Sequence, residues 1–437
     1  MFRKIVSAAF VLGVAVTATS CAGLAPQSSD GGSPRAIPTA TPEGVTISFW
    51  DRYCDDGVKK VVSDFNEAYK GKVEVEHVCV SGGESNLAAK IQAAAVGGGL
   101  PNVSALSEQN IVQYANDGLV VPLDPYLEDQ AWGLKDEERK DLTESAIART
   151  ELPVYGGKTM SWPFGNTANA LYVNTDLLKA AGIKEAPSTW DEFYAAAAKI
   201  KKATGKPGWA MAPSDGANLI DAVWSSGTPW IDGNGKVLLG DAATADVLKG
   251  WKDLSASGSA TVSESYRDLF LSGNAGMVFS STGFVGKWTS TAKSAWEVAP
   301  FPHAEGKEPL TEMFGSASVV FKSTPEEELA SWLFAKYAAS AQAQATMCPE
   351  QGCLPATASS LELPEIKALI AEAPQYRTAL EEIAPTAQLL PQDAALAEVR
   401  GKVSGDVLTR VLNGSVTPEQ GAQELGKRAT AAVEAAK

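Results

Sequence analysis

The sequence predicts an α/β protein of two lobes, each lobe a mainly parallel sheet flanked by helices. Strand-like and helix-like patterns alternate through the first half of the chain, and that alternation favours a parallel, doubly wound sheet. After a polar leader the chain still has about 394 residues, more than the roughly 250–300 at which a single hydrophobic core stops growing.

The chain opens with Arg3 and Lys4 and an apolar run from Ile5 to Val16, followed by Ala18-Thr19-Ser20-Cys21. Charge, then an apolar stretch, then small residues is the pattern of a cleaved export signal, and residues 1–20 are read as one of lipoprotein type. The apolar run is shorter than the about 20 residues needed to span a bilayer. Cys21 is expected to carry the lipid, and several acyl chains would hold the protein on the outer face of the cell membrane. The plainer reading is an ordinary thiol beside a secretory cut. Residues 21–43 are rich in Ser, Gly, Pro and Thr, too poor in large apolar groups to bury a core, and read as a flexible tether.

The formal charge is −15, and loss of Arg3 and Lys4 with the export signal makes it −17. A chain this acidic repels nucleic acid and anionic headgroups, so no nucleic-acid partner is expected. Four cysteines follow Cys21, and an even number in an exported protein suggests disulfides. Cys54 follows the first strand and Cys79 ends the second; neighbouring parallel strands bring such positions together, which predicts Cys54–Cys79. Cys348 and Cys353 flank a short loop and are predicted to pair. The chain holds only His77 and His303 and no Cys-x-x-Cys spacing, so neither a metal nor a cofactor is expected.

The elements follow in order. Val45–Trp50 reads as a strand. Val58, Val61, Val62, Phe65 and Tyr69 recur at helical spacing behind Asp55 and Asp56. Lys72 to Val80 alternates as a second strand. Ser81–Glu84 turns into a helix that Gly97-Gly98-Gly99 stops. Val103–Leu106 is a short buried strand and Asn110–Asn116 is helical. Thr189-Trp190-Asp191-Glu192 is a capping box, opening a helix through Phe193, Ala197 and Ile200. Gly227–Val237 reads as a hairpin, Ala242–Leu254 as a helix, and Phe270–Ser280 as helix end, glycine cap and buried strand. Glu326–Met347 reads as one long helix. Helices near Leu396–Leu412 and Pro418–Ala436 close the chain, the last behind a capping start at Thr417.

Five segments, in order, carry a resemblance. Trp162-Pro163-Phe164-Gly165-Asn166-Thr167-Ala168-Asn169-Ala170-Leu171-Tyr172-Val173-Asn174, with Thr175-Asp176-Leu177-Leu178 behind it, resembles the first inter-lobe crossover of bacterial extracellular solute-binding proteins, the sugar-type receptors of ABC importers. Pro187–Phe193, Phe270–Ser280, Phe314–Phe321 and Gly352-Cys353-Leu354-Pro355 resemble later landmarks of that family. The resemblance covers nearly all of Val45–Lys437. It implies a two-lobe, periplasmic-binding-protein-like fold of type II, joined by crossover hinge segments. The lobes would be 44–165 with 315–360, and 166–314 with 361–437. It also implies a monomeric receptor that captures a solute and delivers it to the transmembrane subunits of a permease.

In open parallel sheets ligands lie beyond the carboxyl ends of strands. That rule, with the crossovers, selects the ligand candidates. Trp50, Tyr53, Trp162, Trp224, Trp230 and Phe284 offer flat apolar faces. Asp51, Glu84, Glu108, Asn166, Asn169, Asp215, Ser281, Gly315 and Ser316 offer polar groups. Each has a plainer reading: Trp162 packs the hinge, Glu108 is a solvated loop acid, and Trp224 and Trp230 belong to the core of the second lobe. Glu108 falls where glycerophosphodiester-binding members place a ligand carboxylate. Their Trp-x-x-Trp pair is replaced here by Met211–Gly216, their Tyr by Cys353, and their arginine falls near Asp393, with Arg400 close by. Phosphate usually needs Arg, Lys or clustered amides, and Arg52 is the evident cation. A neutral mono- or oligosaccharide is therefore expected, ahead of a glycerophosphodiester. Asp51 and Glu108 could be imagined as the paired carboxylates of a glycoside hydrolase. No serine elbow, phosphate loop or histidine motif accompanies them, so no enzyme is expected. A sensor or adhesin on the same fold stays open.

Overall fold

The computed structural model describes residues 36–150 and 152–436. The expected export signal, Cys21 and the tether up to residue 35 lie outside the described residues. The end of the expected tether is docked: the Pro38 carbonyl accepts from the Trp132 indole at 2.8 Å. Among the described residues, no helix is long and apolar enough to cross a membrane.

The strands are β1 (Val45–Asp51), β2 (Val73–Cys79), β3 (Val103–Leu106), β4 (Trp162–Asn174), β5 (Trp209–Met211), β6 (Ala260–Val262), β7 (Met277–Ser281), β8 (Trp296–Ala299), β9 (Thr311–Val320) and β10 (Ala387–Gln388). They join in the order β2-β1-β3-β9-β4-β7-β5-β6, with β8 beside β4 and β10 beside β9. β1 pairs in parallel with β2 and β3, and β5 with β6 and β7. The long strands β4 and β9 run antiparallel to each other and to their neighbours β7 and β3. Each sheet half is thus parallel away from the centre, and the crossover strands make the whole mixed.

The first half follows from simple patterning. Alternation in β1 buries Ile47, Phe49 and Asp51 on one face. Helix α1 (Asp56–Ala68) covers that face with Val58, Val61, Val62 and Phe65, and starts where the Asp55 side chain accepts from the Val58 amide. Burying a side chain the size of Phe65 contributes about 1.5–3 kcal/mol over leaving it in water. Helices α2 (Glu84–Gly97) and α3 (Glu108–Asn116) cover the other face through Leu87, Ile91, Ile111 and Val112. A separate apolar cluster holds Trp209, Trp251, Phe279 and, from the end of the chain, Leu390 to Val433.

Two expectations change. The helix read over 326–347 is two helices, Pro325–Ala338 and Ala341–Gln351, because Ser340 takes an extended backbone (φ −66°, ψ 155°) and its side chain accepts from the Ala343 amide as the cap of the second. The hairpin read at 227–237 reduces to one bridge, Ile231 with Val237. There the Asp232 carboxylate accepts the Asn234 and Lys236 amides and holds a loop. Both predicted disulfides are present, Cys54–Cys79 and Cys348–Cys353, with Cα atoms 5.1 and 4.7 Å apart.

Candidate functional site

The floor of the site is the pair of crossover strands. Asn166 lies opposite Gly315, Thr167 opposite Phe314 and Ala168 opposite Met313. Gly315 has a φ of 132°, and a Cβ there would come within 2.0 Å of the Gly165 carbonyl oxygen. The strands approach too closely for any side chain at 315. Asn166 and Asn169 rise from β4 and are almost fully buried.

The first wall comes from the strand ends of the first half. The Tyr53 hydroxyl donates to Ser316 Oγ at 3.0 Å, and its ring packs on Phe164. Arg52 pairs with Glu84 and donates to the Tyr53 hydroxyl. Glu84 also accepts from the Ser107 amide and hydroxyl and from Asn110, so one carboxylate ties the start of α2 to the start of α3. At the first residue of α3, Glu108 takes a two-pronged ion pair from Arg149, on the short helix Glu144–Thr150. A third Arg149 nitrogen donates to Asn166 Oδ1. The Asn166 Nδ2 and the Tyr155 hydroxyl nearby are buried and have no partner. Burial pushes the Tyr155 phenol far above its ordinary range, with the Glu108 charge adding to it.

The second wall is a chain of polar contacts. Asp215 caps the helix Gly216–Ser225 and accepts from Asn218 Nδ2 at 2.7 Å. Asn169 Nδ2 donates to Asn218 at 2.7 Å and to Asp221 at 2.9 Å. Arg400 pairs with Glu312 of β9 and stands 3.7 Å from Asp221. Burial pushes the Glu312 carboxyl well above the usual carboxylate range. Arg400 opposes that, and the charges of Asp221 and Glu108 reinforce it. Burial also raises Asp221, against Arg400, and Asp215, against its bonds from Asn218. Asp221 Oδ1 and Arg400 Nε lack partners. Ser281 lies opposite Asn169, its carbonyl accepting from the Tyr172 hydroxyl. The Phe284 ring lies 4.9 Å under the Arg267 guanidinium.

Tyr53, Glu84, Glu108, Asn166, Asn169, Asp215, Ser281, Phe284, Gly315 and Ser316 thus lie around the crossover. Trp50 flanks them half-buried, with Lys90 4.1 Å over its ring. Four expected candidates lie elsewhere. Asp51 points to the α1 face with Phe49, sealed from solvent, 3.1 Å from His77 Nε2. Trp162 packs edge-on against Trp332 in the core. Trp230 is fully buried, its indole N–H donated to the Pro391 carbonyl. Trp224 sits in the second cluster with only a narrow exposed rim.

Sequence reasoning missed Arg149, Asn218, Asp221 and Glu312, and noted Arg400 only as a neighbour of the site. A signal existed for Asn218 and Asp221, which share one helix face behind the Asp215 cap. Beside the network, a cavity of about 630 Å³ is bounded by Leu152, Leu354, Leu380, Leu389 and Gln388. Another of about 680 Å³ lies away from these residues, between 184–188, 296–303 and 374–382. Among the described residues, no group of three or more His, Cys, Asp or Glu could hold a metal ion.

Comparison with known proteins follows the same lines. The family model of bacterial extracellular solute-binding proteins matches residues 60–377. The arabinooligosaccharide-binding protein of Bacillus subtilis (strain 168) is 27% identical over 203 residues, covering 44% of this chain and 47% of that protein. The chain spans about half the length of the curated relatives it matches. Among solved structures, UgpB from Mycobacterium tuberculosis in complex with glycerophosphocholine superposes with a TM-score of 0.77 at 19% identity, over 89% of this chain and 98% of that one. The cyclic alpha-maltosyl-1,6-maltose binding protein from Arthrobacter globiformis gives 0.76 at 20% identity, over 90% and 99%. These likenesses show the two-lobe, type II binding-protein fold.

Proposed function

The chain belongs to the bacterial extracellular solute-binding proteins, and from that premise we propose that it captures a neutral mono- or oligosaccharide between its lobes and delivers it to the transmembrane subunits of an ABC permease. It is a binding protein, not an enzyme. One observation carries the choice of ligand. Three arginines around the crossover are held by carboxylates, Arg52 by Glu84, Arg149 by Glu108 and Arg400 by Glu312, while Arg267 lies over the Phe284 ring at the edge of the site. A phosphate, which needs a cation of its own, would have to break one of these pairs or draw on Arg267 alone. Left unpaired there are Asn166 Nδ2, Arg400 Nε, the Tyr155 hydroxyl, Asp221 Oδ1 and Gln351 Oε1, a mix of donors and acceptors that suits hydroxyl groups. Tyr53 and Phe284 add aromatic faces. The names of relatives that bind an arabinooligosaccharide and a cyclic maltosyl sugar support the same class.

In this reading the protein is a monomer, anchored through Cys21 to the outer face of the membrane by the tether. The lobes 44–165 with 315–360, and 166–314 with 361–437, close as hinged bodies, so ligand must bind the closed form better. A second reading, a glycerophosphodiester receptor, draws on the likeness to UgpB with glycerophosphocholine and on the place of Glu108. A thermal-shift and tryptophan-fluorescence panel of neutral sugars and glycerophosphodiesters separates them. Neutral sugars should raise the melting temperature by mass action. A shift with phosphodiesters alone replaces the first reading with the second, and no shift at millimolar ligand removes both.

A further inference from the structure

The turn closed by Cys348–Cys353 lies where four parts of the chain meet. The Gly165 position of the first crossover strand is open to it: a Cβ there would come within 2.9 Å of Gln351 Oε1 and 3.9 Å of the Tyr53 hydroxyl. On the other side Gly352 touches Gly283, in the loop after β7; a Cβ on Gly352 would stand 2.7 Å from Gly283 Cα. The Leu354 amide donates to the Asn166 carbonyl at 2.6 Å. Toward α1, the Glu350 carboxylate accepts the Asp56 and Gly57 amides, and Gln351 Nε2 donates to Asp55 at 3.2 Å. Asp55 in turn follows Cys54. That residue has a φ of 58°, the left-handed region that non-glycine residues seldom adopt, and Cys54–Cys79 closes the loop there. Gln351 Oε1 is buried and has no partner.

We propose that the disulfide-closed turn Cys348–Cys353 is a positioning device for the ligand site, holding Gln351 against the crossover so that its free carbonyl meets the ligand. The inference rests on the cleft reading above. The disulfide spans only five residues in sequence, so it removes little chain entropy from the unfolded state compared with a long loop. Its larger effect is local: it ties the last turn of the helix Ala341–Gln351 to Cys353, just past the Gly352 cap, so the Gln351 amide has a rigid base on which to bond both Asp55 and a ligand. Without it, the helix end can still form but can fray, and need not keep Gln351 over Gly165.

The test uses the full chain, with maltotriose and glycerophosphocholine as probes. Gln351→Ala should weaken binding of whichever probe binds by about tenfold, the order of one buried hydrogen bond, with the melting temperature nearly unchanged. The double variant Cys348→Ala/Cys353→Ala, measured on folded protein, should lose a similar factor. Adding Gln351→Ala to it should cost nothing further, because both changes remove one contact. Affinity within twofold of wild type in both variants overturns the proposal, and so does full additivity of the two losses. If neither probe binds the wild type, the choice of ligand class has failed. The turn is then judged by hydrogen exchange at the Leu354 amide, which should quicken about tenfold in Cys348→Ala/Cys353→Ala as its hydrogen bond opens more often. Unchanged exchange there overturns the positioning role.

Discussion

Arg149 holds both carboxylate oxygens of Glu108, and the two side chains are 0% and 3% exposed. Removing one partner leaves the other charge buried and uncompensated, which typically costs about 3–5 kcal/mol. Arg149→Ala is therefore expected to lower unfolding free energy by about that much in urea titrations. Arg149→Met combined with Glu108→Leu should recover most of the loss, because no charge is then stranded. A loss below about 1 kcal/mol in the single variant would show that water reaches the pair.

Glu312 gives a pH signature. Its carboxyl is raised well above the ordinary carboxylate range by burial. The folded state therefore binds its proton more tightly than the unfolded state does. The stability it contributes is fully present below the unfolded carboxylate pKa and is lost as pH rises through the raised folded value. Asp221 and Asp215 are shifted in the same direction. The melting temperature should thus fall from mildly acidic toward alkaline pH, and Glu312→Gln should flatten that fall. Equal slopes in the two proteins would mean that Glu312 is ionised throughout.

Gly315→Ala tests the strand contact. A Cβ there would meet the Gly165 carbonyl oxygen at 2.0 Å, at a φ of 132°. Strain of this kind costs on the order of 1–3 kcal/mol, and the clash adds to it. The expected result is a lower melting temperature together with weaker ligand binding, since both crossover strands must shift. A variant as stable as wild type would show that the strands separate at little cost.

Tyr53 and Trp230 should behave in opposite ways. Trp230 is sealed in the core, so Trp230→Ala is expected to cost about 3–5 kcal/mol of stability, with ligand affinity of the folded protein unchanged. Tyr53→Phe removes the hydroxyl's bonds with Ser316 Oγ and Arg52 and should lower affinity while the melting temperature stays close to wild type. Calorimetry and ligand titration on both variants separate the outcomes, and the reverse pattern would exchange the roles of the two residues.

The fold was legible where local chemistry agreed with the tertiary environment. Val58, Val61, Val62 and Phe65 repeat at helical spacing because one face of α1 is buried, and Asp55 caps it as its position suggests. Cys54 and Cys79 could be paired because Asp51 and Cys79 are register partners on neighbouring parallel strands. Ser340 misled, since a serine inside a helical pattern looks the same whether its side chain caps a new helix or faces water. In the site, the strand-end rule pointed to Tyr53, and the crossover segments to Asn166 and Ser316. Asp51 was taken by the strand-end rule, although the alternation of Ile47, Phe49 and Asp51 places it on the covered face. Arg149 gave no signal: its partners Glu108 and Asn166 are 41 and 17 residues away, and only the folded chain brings them together. The same holds for Glu312 and Arg400, 88 residues apart.

β4 and β9 each run without a break from one half of the sheet into the other. Neither half can melt while the other keeps its central pair of strands intact. A calorimeter should record one cooperative transition for residues 37–437, and a ligand gripping either wall would raise that one temperature. A melting shift in this molecule therefore reports that something has bound, while assigning the contact to a wall requires the residue-by-residue variants.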